Sequence, residues 1–269
     1  MPELPEVETT LRGLQPHLIN RTITSIQIKQ PKLRWPVPAE ILTLQQATIN
    51  SLSRRAKYIL MYTDQGNMIW HLGMSGSMRL LADQQPGSKH EHIKITLHDG
   101  FSLRYIDPRR FGALLYTDSD PLCHKLICDL GPEPLTEEFN TEYLQQKCAT
   151  RSSPIKTLIM DSHTVVGIGN IYACESLFLS GINPRTKACK ISFHRLEKLV
   201  NSIKSVLQQA IQLGGTTLQD FTQTDGQPGY FAQKLNVYGN KTACPNCGKP
   251  VSRIIQAQRS TFYCTSCQK

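Results

Sequence analysis

Pro2 stands directly behind the initiator methionine, with Glu3 and Glu6 close by in the run Met1-Pro2-Glu3-Leu4-Pro5-Glu6. Small second residues permit methionine removal, so the mature chain is expected to begin with a secondary amine flanked by two carboxylates. An α-amino group titrates near ~8 and a lysine near ~10.4, so at neutral pH roughly 10% of the former and about 0.04% of the latter is free base. A nucleophilic amine needs that free base. A secondary amine also condenses with an aldehyde carbon to an iminium, whose positive charge needs no proton and draws electrons in eliminations. The same residues suit the first turn of a helix for local reasons alone, proline lacking an N–H there and carboxylates facing the positive end of the dipole.

Cys244, Cys247, Cys264 and Cys267 form a C-x2-C-x16-C-x2-C array. Each Cys-x-x-Cys knuckle turns two thiolates to one side, and two knuckles complete a tetrahedral zinc shell with no open position. One structural Zn2+ is therefore expected. Between the knuckles, Val251 to Tyr263 reads as a β-hairpin carrying Arg253 and Arg259, suited to gripping a phosphate or simply solvated. The other five of the nine cysteines are scattered and odd in number, which suits a reducing compartment.

Other stretches read two ways. Gly167-Ile168-Gly169-Asn170 opens a helix whose first amides suit a phosphate, but it lacks the third glycine of a dinucleotide loop. Asp107-Pro108-Arg109-Arg110-Phe111-Gly112 sets arginines and a ring on a proline-led turn, a wedge for stacked bases or a buried ring among surface charges. Met74 in His71-Leu72-Gly73-Met74-Ser75-Gly76 suits a core, and Lys57 in Arg54-Arg55-Ala56-Lys57-Tyr58 a solvated charge. His90 and His92 would share one strand face without a third metal ligand.

These groups need a scaffold, and the hydrophobic pattern supplies one. Helices are expected over residues 5–18, 136–148, 154–161, 170–180 and 192–213, the last stopped by Gly214-Gly215. Short alternating runs from Thr22 to Tyr105, with turns at 64–67 and Asp99-Gly100, predict a β-sandwich or flattened barrel. Asp129 to Pro134 is a stiff boundary. The 269 residues allow one large or two to three small domains, and the net charge of +9 favours a polyanion partner. No apolar run reaches 18 residues and the N-terminus lacks the pattern of a signal peptide, so an intracellular protein without a membrane span is expected.

The motifs above, taken in their order along the chain and together with Gly214-Gly215-Thr216-Thr217-Leu218 and the run Asp225 to Phe231, resemble the bacterial formamidopyrimidine-DNA glycosylase family nearly end to end. The resemblance implies an α+β chain with a two-layer β-sandwich and flanking helices (1–131), a helix–two-turn–helix domain (132–220), and a lesion-capping loop with zinc β-ribbon (221–269), DNA lying in the cleft between domains. It implies damaged double-stranded DNA as partner, excision of oxidised purines followed by strand cleavage, and no organic cofactor. A cytoplasmic, nucleoid-associated monomer is expected.

Family roles carry over to matching positions. Pro2 is the nucleophile, Glu3 handles protons, and Glu6 supports the amine. Lys57, His71, Asn170 and Arg259 hold phosphates, Lys57 and Arg259 being counted with the catalytic set. Met74, Arg109 and Phe111 fill the gap left in the duplex, with Arg109 facing the orphaned cytosine. His90 and Lys156 join the DNA contacts, while Thr216, Thr217 and Tyr230 belong to the lesion loop. Ala56 replaces a common glycine, Ser162 a common glutamine, and Cys174 a residue that is often polar. Endonuclease VIII shares the architecture but takes oxidised pyrimidines; Leu4 and the Met74, Arg109, Phe111 set favour the purine enzyme.

Overall fold

The computed structural model describes residues 2–216, 231–239 and 243–269. The chain divides into two compact units, Met1–Cys128 with Leu213–Tyr230, and Asp129–Gln212 with Phe231–Lys269.

In the first unit, helix α1 (Leu4–Leu18) buries Val7, Leu11, Leu14 and Leu18, the four residues that share its apolar stripe. Eight strands follow: β1 (Ile23–Ile28), β2 (Ile49–Arg55), β3 (Tyr58–Thr63), β4 (Asn67–His71), β5 (Ser77–Ala82), β6 (Glu91–Leu97), β7 (Phe101–Ile106) and β8 (Ala113–Thr117). They build two four-stranded sheets, ordered β1-β6-β7-β5 and β2-β3-β4-β8, with antiparallel pairing throughout. Ile93, Ile95, Leu103 and Tyr105 of one sheet share a buried cluster with Ile59, Met61, Met68 and Trp70 of the other, and the α1 stripe joins them. That is the expected sandwich, its period-2 alternation turning every second residue inward. The far face of β3 and β4 is covered too: Leu60 and Ile69 pack on Ile127.

Buried Arg104 fastens the loop between β5 and β6, donating to the carbonyls of Ala82, Asp83 and Pro86 and to the Glu91 carboxylate. All these partners satisfy a charge that would otherwise be costly to bury.

In the second unit, α2 (Thr141–Cys148), α3 (Ile155–Ile159), α4 (Asn170–Leu179) and α5 (Phe193–Gln212) are joined by a zinc-ribbon hairpin of β9 (Ser252–Gln256) and β10 (Arg259–Tyr263). Helix α2 starts five residues later than the pattern predicts, because the Asn140 side chain accepts the Tyr143 N–H and caps it there. Helix α3 is likewise shorter than the 154–161 expected. The apolar stripe that the sequence spaces along α5 is buried at Leu196, Leu199, Val200, Ile203, Val206, Leu207 and Ala210, while Ile211, which continues it, is half-buried. Gly214 and Gly215 follow with φ of 74° and 81°, a left-handed stop that glycine enters without strain.

Candidate active site and nucleic-acid interface

At the amino end, Glu3 caps α1 and is buried, as are Pro2 and Glu6. Glu6 closes a capping box: its Oε2 accepts the Glu3 N–H at 2.8 Å. Its Oε1 accepts the Thr216 N–H, also at 2.8 Å. Thr216 is thereby anchored beside the terminus, whereas Met1, Thr217 and Tyr230 lie outside the described residues.

Lys57 sits on the two-residue turn between β2 and β3, next to Ala56 at φ 55°. That is a left-handed position, which glycine would enter without strain. The turn is tied to α1: Arg54 donates to Glu8 Oε2 at 2.8 Å and to the Ala56 carbonyl at 2.9 Å. Burial would raise the Glu8 carboxyl, but Arg54 and Arg12 hold it below its ordinary value. Sequence reasoning missed Glu8 and Arg54; only their positions inside two motifs hinted at them.

Strand register sets Tyr58 opposite His71, with rings 5.0 Å apart, so Lys57 and His71 come to one edge of the sheet. His71 is pushed down to about 4, chiefly by burial, then by the positive charges of Lys57 and Arg34, against the opposing pull of Asp107. Its Nδ1 accepts the Gly73 N–H at 3.0 Å, which places the proton of the neutral ring on Nε2. His71 therefore offers one neutral donor.

Phe111 is 45% exposed, with the Arg109 guanidinium 5.1 Å from its ring centre. Half-buried Met74 lies on the neighbouring turn, and both turns border a hollow of about 560 Å³ with Leu33, Arg34, His71 and Arg110. One exposed ring alone means little, but an apolar chain and a cation beside it make a surface suited to stacked bases. His90 is half-buried, and its carbonyl accepts the Asp107 N–H at 3.0 Å.

In the second unit, Lys156 is only 2% exposed, so its ammonium points inward. Its Nζ donates to the Asn170 side-chain oxygen and, at 2.7 Å, to the Thr261 hydroxyl. Asn170 in turn donates to the Ser260 carbonyl at 2.8 Å. These bonds join α3, the start of α4 and β10. Gly167 has a φ of 81° and Gly169 caps α4, giving the expected helix start.

The two arginines of the hairpin differ. Arg253 donates twice to the Ser260 hydroxyl and lies over Phe262, whereas Arg259 is exposed next to the turn. That turn, Ala257-Gln258, has φ of 45° and 60° without glycine or asparagine, local strain at the arginine-bearing tip.

The four array cysteines bring their sulfurs within 4.8 Å of one another. Ligands at ~2.3 Å from zinc in a tetrahedron stand roughly 3.8 Å apart, so the set fits one Zn2+. Cys174 and Phe178 of α4 pack against Cys244 and Cys264, so Cys174 is a core residue of the ribbon's seat. Ser162 accepts the Gly131 N–H through its carbonyl, a contact for which its side chain is immaterial.

Comparison with known proteins agrees along the whole chain. Residues 1–114 match the formamidopyrimidine-DNA glycosylase N-terminal domain, 130–222 its H2TH domain, and 243–269 a zinc finger found in FPG and IleRS. A formamidopyrimidine-DNA glycosylase of Salmonella arizonae is 53% identical, with both chains covered in full. A Lactococcus lactis FPG variant in complex with Fapy-dG-containing DNA is 32% identical, with a TM-score of 0.93 and full coverage of both chains. Wild-type Lactococcus lactis FPG with oxidised-pyrimidine-containing DNA is 33% identical, with a TM-score of 0.92 and the same coverage. The fold, the zinc-binding set and these full-length likenesses agree: the chain belongs to the formamidopyrimidine-DNA glycosylase family, and is a DNA glycosylase with one structural zinc site.

Proposed function

We propose that the enzyme excises oxidised purines, 8-oxoguanine and ring-opened formamidopyrimidines, from duplex DNA and then cleaves the strand by β- and δ-elimination. The observation that carries this is the buried cap of α1, where Pro2 and Glu3 adjoin a Glu6 carboxylate bonded through both oxygens. A relative solved with Fapy-dG DNA supports the purine substrate.

A stacked base hides its glycosidic bond, so the nucleotide must be extruded at a cost of a few kcal/mol. Met74, Arg109 and Phe111 would fill the gap, Arg109 facing the orphaned cytosine. Lys57 and His71 of the first unit, and Asn170 and Arg259 of the second, would hold the flanking phosphates. Lys156 acts through the Asn170 side chain it fixes. His90 would contact DNA beside the wedge, and Thr216, Thr217 and Tyr230 would belong to the segment over the base.

After Met1 is removed, the Pro2 nitrogen attacks C1′, and the base leaves with the glycosidic electron pair and takes up the proton that the nitrogen loses. Glu3 gives a proton to the sugar ring oxygen as the ring opens, leaving an iminium between Pro2 and C1′. Loss of a C2′ proton expels the 3′ phosphate, and a second elimination expels the 5′ phosphate. Glu3, once deprotonated, serves as base. Zinc takes no part, since four thiolates fill its shell. All the named groups sit on one chain, which supports action as a monomer.

Borohydride trapping on an 8-oxoguanine:cytosine duplex tests the mechanism. A covalent adduct that Pro2 substitution abolishes is expected; trapping that survives substitution, or active enzyme retaining Met1, would overturn it. Because a relative was solved with oxidised-pyrimidine DNA, thymine-glycol duplexes belong in the same assay. A strong preference for them would reverse the purine assignment.

A further inference from the structure

The turns bearing Met74 and Arg109–Phe111 end on one carboxylate. Asp107 is fully buried. Its Oδ1 accepts the Ser75 hydroxyl at 2.6 Å and the Arg109 N–H at 3.3 Å. Its Oδ2 accepts the Gly112 N–H at 2.8 Å and the Tyr105 hydroxyl at 3.1 Å. Ser75 Oγ also receives the Arg109 N–H, at 3.2 Å, bridging the two turns directly. The Asp107 carbonyl takes the Arg110 N–H at 3.2 Å and lies 2.7 Å from His92 Nε2.

Backbone fit closes the remaining space. A Cβ on Gly73 would meet the Gly112 nitrogen at 2.4 Å, and one on Gly112 would meet the Tyr105 hydroxyl at 1.6 Å. Within the same turn Arg110 is held at φ 56°, a conformation that surrounding bonds must enforce.

We propose that Asp107 is the positioning residue of the wedge, holding the Met74 turn and the Arg109–Phe111 turn in one rigid unit so that they enter the duplex together. This rests on the assignment of those side chains to the gap left by extrusion. A buried carboxylate with four donors is geometrically demanding: two are the backbone N–H groups of Arg109 and Gly112, and a third is the hydroxyl of Ser75, next to Met74. Rigid pre-assembly removes the ordering that two independent loops would undergo on insertion.

Asp107→Asn keeps the shape but sets an amide NH2 against one backbone N–H. Ser75→Ala removes only the hydroxyl bridge, and provides a milder second variant. Single-turnover rates are measured on an 8-oxoguanine:cytosine duplex and on an abasic duplex, which has no base to unstack. A 2-aminopurine next to the lesion reports unstacking by fluorescence. The expected result is a split: base excision slows at least ~30-fold in Asp107→Asn and roughly 5-fold in Ser75→Ala, with a weaker fluorescence rise, while abasic scission changes less than ~3-fold. Equal slowing on both duplexes, or none on either, overturns the inference while leaving the glycosylase reading intact. Failure of the wild type itself to excise would overturn that reading instead.

Discussion

One carboxylate of Glu6 joins the N–H of Glu3 to the N–H of Thr216, the second contact spanning 210 positions of chain. The cap of α1 and the start of the segment after α5 therefore share a single anchor. Gly215 is needed for this approach: a Cβ there would stand 3.1 Å from Glu6 Oε1, and its φ is 81°. Glu6→Gln would set an amide NH2 against one of the two N–H donors, at a cost of about 1–3 kcal/mol. We expect single-turnover excision to fall roughly 10- to 100-fold, with borohydride trapping reduced in parallel. A wild-type rate would show that the anchor is dispensable.

His71 should stay neutral throughout the working range of the enzyme. Its folded value, about 4, lies below the ordinary value of 6.5, so on acidification the unfolded chain takes up this proton first. Its contribution to stability is full above pH 6.5 and is lost progressively as the pH falls towards 4. An NMR titration of the ring C–H should show its midpoint near 4; a midpoint near 6.5 would contradict the assignment of a neutral Nε2 donor.

Ala56→Gly should stabilise the protein, opposite to the usual effect of glycine. Relieving a left-handed alanine at φ 55° is worth about 1 kcal/mol, or roughly 2–4 °C in melting temperature for a chain of this size. A lowered melting temperature would show that the turn is unstrained.

Zinc removal should loosen the ribbon and release Arg259 from its register with Gln256. Cys247→Ser is expected to lower bound zinc well below one per chain by elemental analysis and to weaken DNA binding at least ~10-fold. Metal affinity should rise with pH, because the four thiols lose protons on binding. Unchanged DNA affinity in a zinc-free protein would separate the ribbon from the interface.

The hairpin arginines should behave differently. Arg259→Ala is expected to weaken binding about 10- to 100-fold and to reduce the salt dependence by about one phosphate contact, whereas Arg253→Ala should change affinity less than ~3-fold. Equal losses would mean that Arg253, despite its bonds to Ser260, also reaches the phosphate backbone.

Sequence alone was enough wherever the determining geometry is local. The spacing of Cys244, Cys247, Cys264 and Cys267 specified a zinc set, the 3.6-residue stripes marked α1 and α5, and alternation marked the sandwich strands. Motif order pointed to the family. Even locally, the Asn140 cap decided where α2 begins, a choice the apolar pattern over 136–148 does not encode. Tertiary structure alone decided which polar residues meet: Glu6 with Thr216, Arg54 with Glu8 and the Ala56 carbonyl, Asp107 with the turns that carry Met74 and Arg109, and buried Lys156 with Asn170. These partnerships depend on strand register and on packing between distant segments. Periodicity says which face of an element is buried, but not which distant group it will face.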